Sequence, residues 1–271
     1  MSPAEVSSSQ NQSEKATVYD KAGDLFSSRT VDKCCAYLKP HIKPTYRIID
    51  VGCGPGSITV GLARLVPEGH VVGVDILSDY LDQARHLAEA QGVKNIEFIQ
   101  SDAHAIKGLS DESFDIVHSH QVLLHLSDPV GALREMRRLV KPGGIVAARD
   151  NAANVLVPAN AVIAKQNEIY ECIARDRGAH ADGGRHTPAW AHEAGFAWDK
   201  IEMSSAAWEY SGPEGRRIWM ENVKDSLRKV AMAGGYATKE EMDEGRAAWE
   251  EWATHEEARF MGLDGQIICF K

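Results

Sequence analysis

Residues 48–59 read Ile48-Ile49-Asp50-Val51-Gly52-Cys53-Gly54-Pro55-Gly56-Ser57-Ile58-Thr59. An apolar run enters three glycines at alternate positions, and a helical pattern follows. In open parallel sheets, ligands bind outside the carboxyl ends of the strands. Glycine suits such a bend because the backbone turns sharply and a ligand can approach with no Cβ in the way. The helix that begins near Ser57 offers N–H groups to polar atoms. The stretch therefore predicts a ligand-binding loop at a sheet edge.

Apolar runs alternate with amphipathic stretches around this loop. The predicted strands are 46–51, 70–75, 95–101, 114–119 and 145–149, with a turn at 141–144, and the predicted helices between them are 58–66, 80–91 and 128–140. Asp128 is the expected N-cap of the last helix, with Pro129 in its first turn. Nearly continuous apolar strands alternating with helices predict an α/β fold with a doubly wound parallel sheet, covered on both faces.

The pattern changes after Asp150. Helices are predicted at 159–177, 187–195, 213–233 and 239–258, and strands within 196–210 and at 260–270. The two late strands would add an antiparallel edge and complete a mostly parallel seven-stranded sheet. We expect a disordered tail at 1–15 and a single domain at 16–271. Its parts are N-terminal lid helices (16–44, including a helix from Ser27 to Pro40 capped by Ser28), a ligand-binding core (45–151), a helical cap with an edge strand (152–258) and a final strand (259–271).

Composition excludes several classes of function. The chain has 271 residues, 44% of them hydrophobic, and a net charge of −9 with no cluster of Lys and Arg, which disfavours nucleic acid and anionic membranes as partners. No apolar run approaches the ~18 residues of a membrane span, and the polar start lacks a signal peptide's apolar stretch, so we expect a cytoplasmic protein.

Five cysteines without a C-x-x-C pair argue against a disulfide framework or a zinc site. Cys34 and Cys35 could form a redox pair, but packing is the simpler interpretation.

The glycine loop distinguishes two nucleotide cofactors. Nicotinamide enzymes use G-x-G-x-x-G, but Ser57 stands at the third glycine position counted from Gly52, and Thr59 does so counted from Gly54. The pattern here is G-x-G-x-G, with Asp50 two residues before it. A carboxylate suits the cationic amino group and sulfonium of S-adenosylmethionine and would lie awkwardly beside a pyrophosphate. The loop therefore favours S-adenosylmethionine.

Two more acids end successive strands. Asp75 follows the loop by about 20 residues, where a carboxylate can accept hydrogen bonds from both ribose hydroxyls. Asp102 follows the third strand and could accept the adenine amino group. An exposed loop aspartate is the alternative for each acid alone, but three acids at successive strand ends favour one shared site.

These motifs resemble those of class I S-adenosylmethionine-dependent methyltransferases, which have a Rossmann-like fold. The resemblance covers residues 19–150 and rests on Asp50–Gly56, Asp75, 101–103, 114–117 and 139–144. Arg29-Thr30, Tyr37-Leu38, Pro40 and the glycine loop look more closely like the ubiquinone/menaquinone-biosynthesis type. The overall layout is similar to that of fungal thiol methyltransferases acting on dithiols such as reduced gliotoxin.

The resemblance implies which residues meet the cofactor. Arg29 would pair with its carboxylate, a geometry that suits a guanidinium, or would lie on the surface. His118 would contact it through its backbone. The full set of candidate cofactor-binding residues is Arg29, Asp50, Gly52, Cys53, Gly54, Gly56, Asp75, Ile76, Asp102, Ala103 and His118.

The methyl site would lie beside the end of the fourth strand. His120 or His125 would be the general base, because imidazole titrates near neutrality; packing under the loop is the alternative for His125. Tyr19 and Phe26 would form an aromatic lid, with Tyr19 a candidate catalytic residue and Phe26 a candidate substrate contact. Core packing would serve equally for Phe26.

Other residues bear on the acceptor. Asp150 and Asn151 end the fifth strand and would point into the substrate pocket. Six tryptophans in the cap half suit an apolar or aromatic acceptor, or serve packing: Trp190, Trp198, Trp208, Trp219, Trp249 and Trp252. A metal site from the three histidines 118, 120 and 125 is a further alternative. Metal-dependent catechol methyltransferases would carry an aspartate where this chain has His120 nearby, so we predict metal independence.

We therefore predict methyl transfer from S-adenosylmethionine to an oxygen, nitrogen or sulfur of a small organic molecule of secondary metabolism, with a thiol favoured. A nicotinamide-dependent oxidoreductase and a non-catalytic S-adenosylmethionine-binding module are the alternatives.

Overall fold

The structure, a computed structural model, describes Leu25 and residues 28–271. Seven strands of this part of the chain form one sheet: β1 (Arg47–Val51), β2 (His70–Asp75), β3 (Ile96–Gln100), β4 (Phe114–His120), β5 (Val140–Val157), β6 (Ile201–Tyr210) and β7 (Arg259–Phe270). The helices are α1 (Val31–Cys34), α2 (Ser57–Leu65), α3 (Ser78–Ala90), α4 (Pro129–Leu139), α5 (Ala161–Asp176), α6 (Thr187–Glu193), α7 (Gly212–Val223), α8 (Arg228–Ala233) and α9 (Lys239–Trp252).

The strand order is β3-β2-β1-β4-β5-β7-β6. Strands β1 to β5 pair in parallel. Gly143 N–H donates to Lys271 O, and Lys271 N–H donates to Gly144 O, so the end of the chain lies beside the start of β5 and β7 runs antiparallel to it. The predicted mostly parallel seven-stranded sheet is confirmed. Strand order reverses between β1 and β4, the point where ligands bind in such sheets.

Each face of the sheet has its own core. Ile49 and Val51 of β1 pack into one cluster with Leu133 and Met136 of α4. Ile48, on the opposite face, packs into a second cluster with residues of α1 and α2. Because side chains alternate along a strand, Asp50 shares the α1–α2 face with Ile48.

The N-terminal helix is shorter than predicted. It begins at Val31 with Thr30 as the N-cap, rather than Ser28, and ends at Cys34; a 3₁₀ turn at Lys39–His41 follows. The carbonyls of Lys33 and Cys34 accept hydrogen bonds from the Arg149 side chain, and this tertiary contact replaces a further helical turn. The expected tail at 1–15 and the expected start of the helix at Ser27 lie outside the described residues.

Other element boundaries differ as well. Strand β5 extends beyond the predicted 145–149 at both ends, so Asp150 and Asn151 lie inside it and do not end it as predicted. The predicted turn at 141–144 lies inside β5, where the register against β4 shifts between Phe114 and Ile116. The helix predicted at 213–233 is two helices, α7 and α8, and the one predicted at 239–258 ends at Trp252. Asp128 caps α4 by accepting from Gly131 N–H, with Pro129 at its first turn, as predicted.

Residues 153–181 and 207–262 form a compact unit, and residues 28–152, 182–206 and 263–271 form another. The first of these has an aromatic centre: Trp219 stacks on Phe260 at 3.9 Å between ring centroids, and Trp249 and Trp252 are nearly fully buried. Trp252 Nε1 donates to Val157 O at 3.0 Å. These tryptophans therefore pack with one another. Within the described part of the chain, no helix is long and apolar enough to cross a bilayer.

Candidate cofactor and acceptor site

The glycine loop joins β1 to α2. Gly52, Gly54 and Gly56 have φ angles of 70°, 52° and 84°, a region that costs other residues strain. A Cβ at Gly52 would lie 2.4 Å from the Val122 side chain, and one at Gly56 would lie 2.7 Å from Ala84 Cβ. A Cβ at Gly54 would meet no described heavy atom within 4 Å. Two of the glycines are thus required by packing, while the third faces open space.

Asp75 reaches this loop from the end of β2. Its Oδ2 accepts from Gly54 N–H at 2.9 Å, and its Oδ1 accepts from Leu77 N–H at 3.0 Å. Burial raises the pKa of Asp75, while these backbone hydrogen bonds act in the opposite direction. The neighbouring Cys53 thiol is buried, which raises its pKa as well. The carboxylate therefore lies directly beside the open glycine.

The third acid follows β3. Asp102 Oδ1 accepts from His104 N–H at 2.9 Å and lies 2.7 Å from His104 Nδ1. The other ring nitrogen of His104 lies 3.0 Å from Asp128 O. The side chain of Asp102 is 56% exposed, and Ala103 is partly exposed. Since β3, β2 and β1 are neighbours, the predicted acids all lie at one edge of the sheet.

Asp50 faces the protein interior. Its side chain is 4% exposed, Oδ2 accepts from the Thr59 hydroxyl at 2.6 Å, and Oδ1 lies 2.8 Å from His118 Nδ1. His118 Nε2 lies 3.4 Å from Cys35 Sγ. Both carboxylate oxygens of Asp50 are thus hydrogen-bonded to side chains within the protein. The carboxylate does not face the open space beside Gly54.

The electrostatics of the two β4 histidines differ. Burial opposes a charge on His118, but Cys35 and the hydrogen-bonded Asp50 outweigh it and raise the pKa of His118 to about 10. Burial, followed by the Arg29 cation, lowers the pKa of His120 well below its usual range. Both effects favour the neutral imidazole of His120.

The chain bends sharply after β4. Gln121 has a φ of 55°, unusual for a residue other than glycine. Its N–H donates to Arg149 O at 2.7 Å, and its Oε1 accepts from Asn151 N–H at 3.3 Å. The 3₁₀ turn Leu123–His125 follows, with His125 partly buried. The end of β4 is thereby tied to Arg149 and Asn151 of β5, where the acceptor was expected.

The side chain of Asp150 bonds to the turn that follows this bend. It is fully buried, and Oδ1 accepts from Leu124 N–H at 3.2 Å. Burial raises its pKa to about 7, against the opposing effect of the backbone hydrogen bond from Leu124. Its Oδ2 has no hydrogen-bond partner among the described residues.

Sequence reasoning missed Arg149 and Asp264. Arg149 Nε donates to Asp264 Oδ2 at 2.7 Å, and Nη1 donates to Lys33 O at 2.8 Å and to Cys34 O at 3.2 Å. A charged residue inside the otherwise apolar strand 145–149 was the available signal. Tyr37, near this group, has a buried hydroxyl without a hydrogen-bond partner in the described part of the chain.

Four further residues were predicted to line the site, and the structure describes two of them. Tyr19 and Phe26 lie outside the described residues. Arg29 is partly buried near His120, and Ile76 follows Asp75, with its carbonyl accepting from Gln100 Nε2 at 2.9 Å. Among the described residues, no group of three or more His, Cys, Asp or Glu is arranged to hold a metal ion.

Comparison with known proteins gives the family. A methyltransferase-domain family model matches residues 42–205. A methyltransferase of Schizosaccharomyces pombe is 33% identical over 259 residues, which cover 90% of this chain and 91% of that protein. The ubiquinone/menaquinone biosynthesis C-methyltransferase of Hahella chejuensis is 32% identical over 163 residues, covering 59% of this chain and 64% of the relative.

Solved structures share the fold. Phosphoethanolamine N-methyltransferase 2 of Haemonchus contortus, solved with S-adenosylhomocysteine, superposes with a TM-score of 0.52 at 18% identity, covering 86% of this chain and 52% of that one. The predicted enzyme class and cofactor are confirmed. The chain belongs to the class I S-adenosylmethionine-dependent methyltransferases.

Proposed function

We propose that this enzyme methylates a nucleophilic oxygen, nitrogen or sulfur of a small organic molecule, with a thiol as the favoured acceptor and secondary metabolism as its setting in the cytoplasm. The observation that carries the proposal is the open face of Gly54 beside the Asp75 carboxylate. We also propose the division into lid (16–44), core (45–151), cap (152–258) and final strand (259–271).

The residues at the sheet edge fit S-adenosylmethionine, which supplies a methyl carbon activated by a sulfonium. Asp75 would exchange its hydrogen bond from Gly54 for the two ribose hydroxyls. Asp102 and Ala103 would hold the adenine, and Arg29 the carboxylate. Gly52, Cys53, Gly54, Gly56, Ile76 and the backbone of His118 would line the rest of the site. Asp50 would not touch the cofactor itself but would orient His118, whose backbone does.

The acceptor would lie beside His120, with Asp150 and Asn151 nearby. Methyl transfer depends mainly on alignment of the nucleophile. Cations favour a thiolate, and the three groups whose charge lowers the pKa of His120, which are Arg29, His118 and Arg149, would also favour ionisation of a thiol bound beside it. This electrostatic setting supports a thiol acceptor, which would need little help from a general base. His125 and Tyr19 remain proposed contacts of the reacting groups.

Calorimetric titration with S-adenosylhomocysteine and, separately, NADH tests the cofactor. We expect binding of the first only. Thermal-shift screening of small thiols, phenols and amines in the presence of S-adenosylhomocysteine, followed by turnover assays with S-adenosylmethionine, tests the acceptor. Turnover of phenols or amines but of no thiol would contradict the thiol preference, and cofactor binding without turnover of any acceptor would favour a non-catalytic binding module.

A further inference from the structure

Four adjacent strands carry a row of buried charged groups under the N-terminal segment. Asp50 on β1, His118 on β4, Arg149 on β5 and Asp264 on β7 are each at most 3% exposed. Charged residues are rarely buried unless they are paired. The row consists of two acid–base pairs: Asp50 bonds to His118, and Asp264 bonds to Arg149.

The two basic members of the row hold the N-terminal segment. Arg149 Nη1 donates to the carbonyls of Lys33 and Cys34. His118 Nε2 lies 3.4 Å from the sulfur of Cys35, the next residue. Three consecutive residues are therefore held by side chains that arrive from β4 and β5, at the point where α1 ends.

The same row is joined to α2, the helix that follows the glycine loop. Asp50 Oδ2 accepts from the hydroxyl of Thr59, in the first turn of α2. A continuous chain of contacts thus runs from α2, through Asp50 and His118, to Cys35. Arg29 and Tyr37, on either side of α1, belong to the segment that this chain holds.

We propose that Cys35, His118 and Arg149 are positioning residues, which hold residues 29–37 against α2, the helix that follows the glycine loop, so that Arg29 meets the cofactor. The proposal rests on the proposed role of Arg29. The titratable and charged groups around His118 are Asp50 from β1, Cys35 from the N-terminal segment and His120 from β4. Tyr37 in turn lies near Cys35 and Arg149.

The test compares Cys35→Ala with Cys35→Ser. Alanine removes the group that bonds to His118, whereas serine keeps a hydroxyl that can replace the thiol. Loss of a hydrogen bond to a charged group corresponds to about a tenfold effect or more. We expect Cys35→Ala to weaken S-adenosylhomocysteine binding by about tenfold, with Cys35→Ser restoring most of the affinity. Cys269→Ala is the matched control, because Cys269 is also fully buried but lies in the apolar core of the other sheet face.

Binding of S-adenosylhomocysteine to the wild type distinguishes failure of the proposed function from failure of the positioning role. If the wild type fails to bind S-adenosylhomocysteine, the proposed function fails; if it binds and Cys35→Ala matches it, only the positioning role is overturned. Nitrogen NMR of the wild-type histidine rings gives an independent readout. We expect Nδ1 of His118 to carry a proton, because it lies 2.8 Å from Asp50 Oδ1, and an Nδ1 without a proton would contradict the paired row.

Discussion

Asp264→Ala would leave the guanidinium of Arg149 inside the protein without its carboxylate. The two side chains are 3% and 1% exposed and lie 2.7 Å apart. Removal of one partner from a buried ion pair costs about 3–5 kcal/mol, because the remaining charge stays desolvated. Arg149 keeps the carbonyls of Lys33 and Cys34 as acceptors, so we expect the free energy of unfolding to fall by about 3 kcal/mol, the lower end of that range.

Two further variants serve as comparisons: one removes only the charge of Asp264, and the other removes an exposed ion pair. Asp264→Asn keeps an oxygen that can accept from Arg149 Nε and removes only the charge, so we expect a loss of about 1–2 kcal/mol. Glu214→Ala removes an ion pair with Arg217 whose side chains are 72% and 49% exposed, and it should leave stability unchanged, since exposed pairs contribute little. Urea unfolding at pH 7, followed by far-ultraviolet circular dichroism, measures all three. The reasoning is refuted if Asp264→Ala is no less stable than Glu214→Ala.

The remaining predictions concern the loop and its acids. Asp75→Ala should weaken S-adenosylhomocysteine binding by about tenfold or more in calorimetry, because two hydrogen bonds to a carboxylate are lost; unchanged affinity would contradict the ribose role. Gly56→Ala should destabilise the protein by about 1–3 kcal/mol in urea, since its φ is 84° and the new Cβ would lie 2.7 Å from Ala84. The raised pKa of Asp150, about 7, means that its contribution to stability is complete below about pH 4 and is lost as the pH rises towards 7. Asp150→Asn should flatten that part of the stability profile, and an unaltered slope would count against the assignment.

The strands and the glycine loop were predictable because their signals are local. The bounds of β2 (His70–Asp75) agree with those predicted from its apolar run, and the start of α4 follows from the cap Asp128 and the adjoining Pro129. The three glycines predicted a sharp bend because glycine is the residue that adopts positive φ without strain.

The charged row was not predictable, because tertiary folding alone brings its members together. Arg149 and Asp264 are 115 residues apart, and Asp50 and His118 are 68 apart. The sequence indicated only that polar residues interrupt apolar strands. From Asp50 alone we expected a carboxylate that faces the cofactor, and the direction of its side chain depended on a partner, His118, that no local pattern identifies.

The bend after β4 shows the same limit. Nothing about Gln121 predicts a φ of 55°; hydrogen bonds with Arg149 and Asn151 impose it. The short α1 has a similar cause, since Arg149 takes the carbonyls that a longer helix would use.

The central claim is that the open face of Gly54 receives S-adenosylmethionine. Gly54→Ala and Gly92→Ala are a matched pair, because both glycines have positive φ, 52° and 67°, and at neither would a Cβ meet a described heavy atom within 4 Å. Backbone strain should therefore be similar, and only Gly54 lies beside Asp75. Calorimetry with S-adenosylhomocysteine should show wild-type affinity for Gly92→Ala and about tenfold weaker binding for Gly54→Ala. Equal affinities for the two variants would contradict the account.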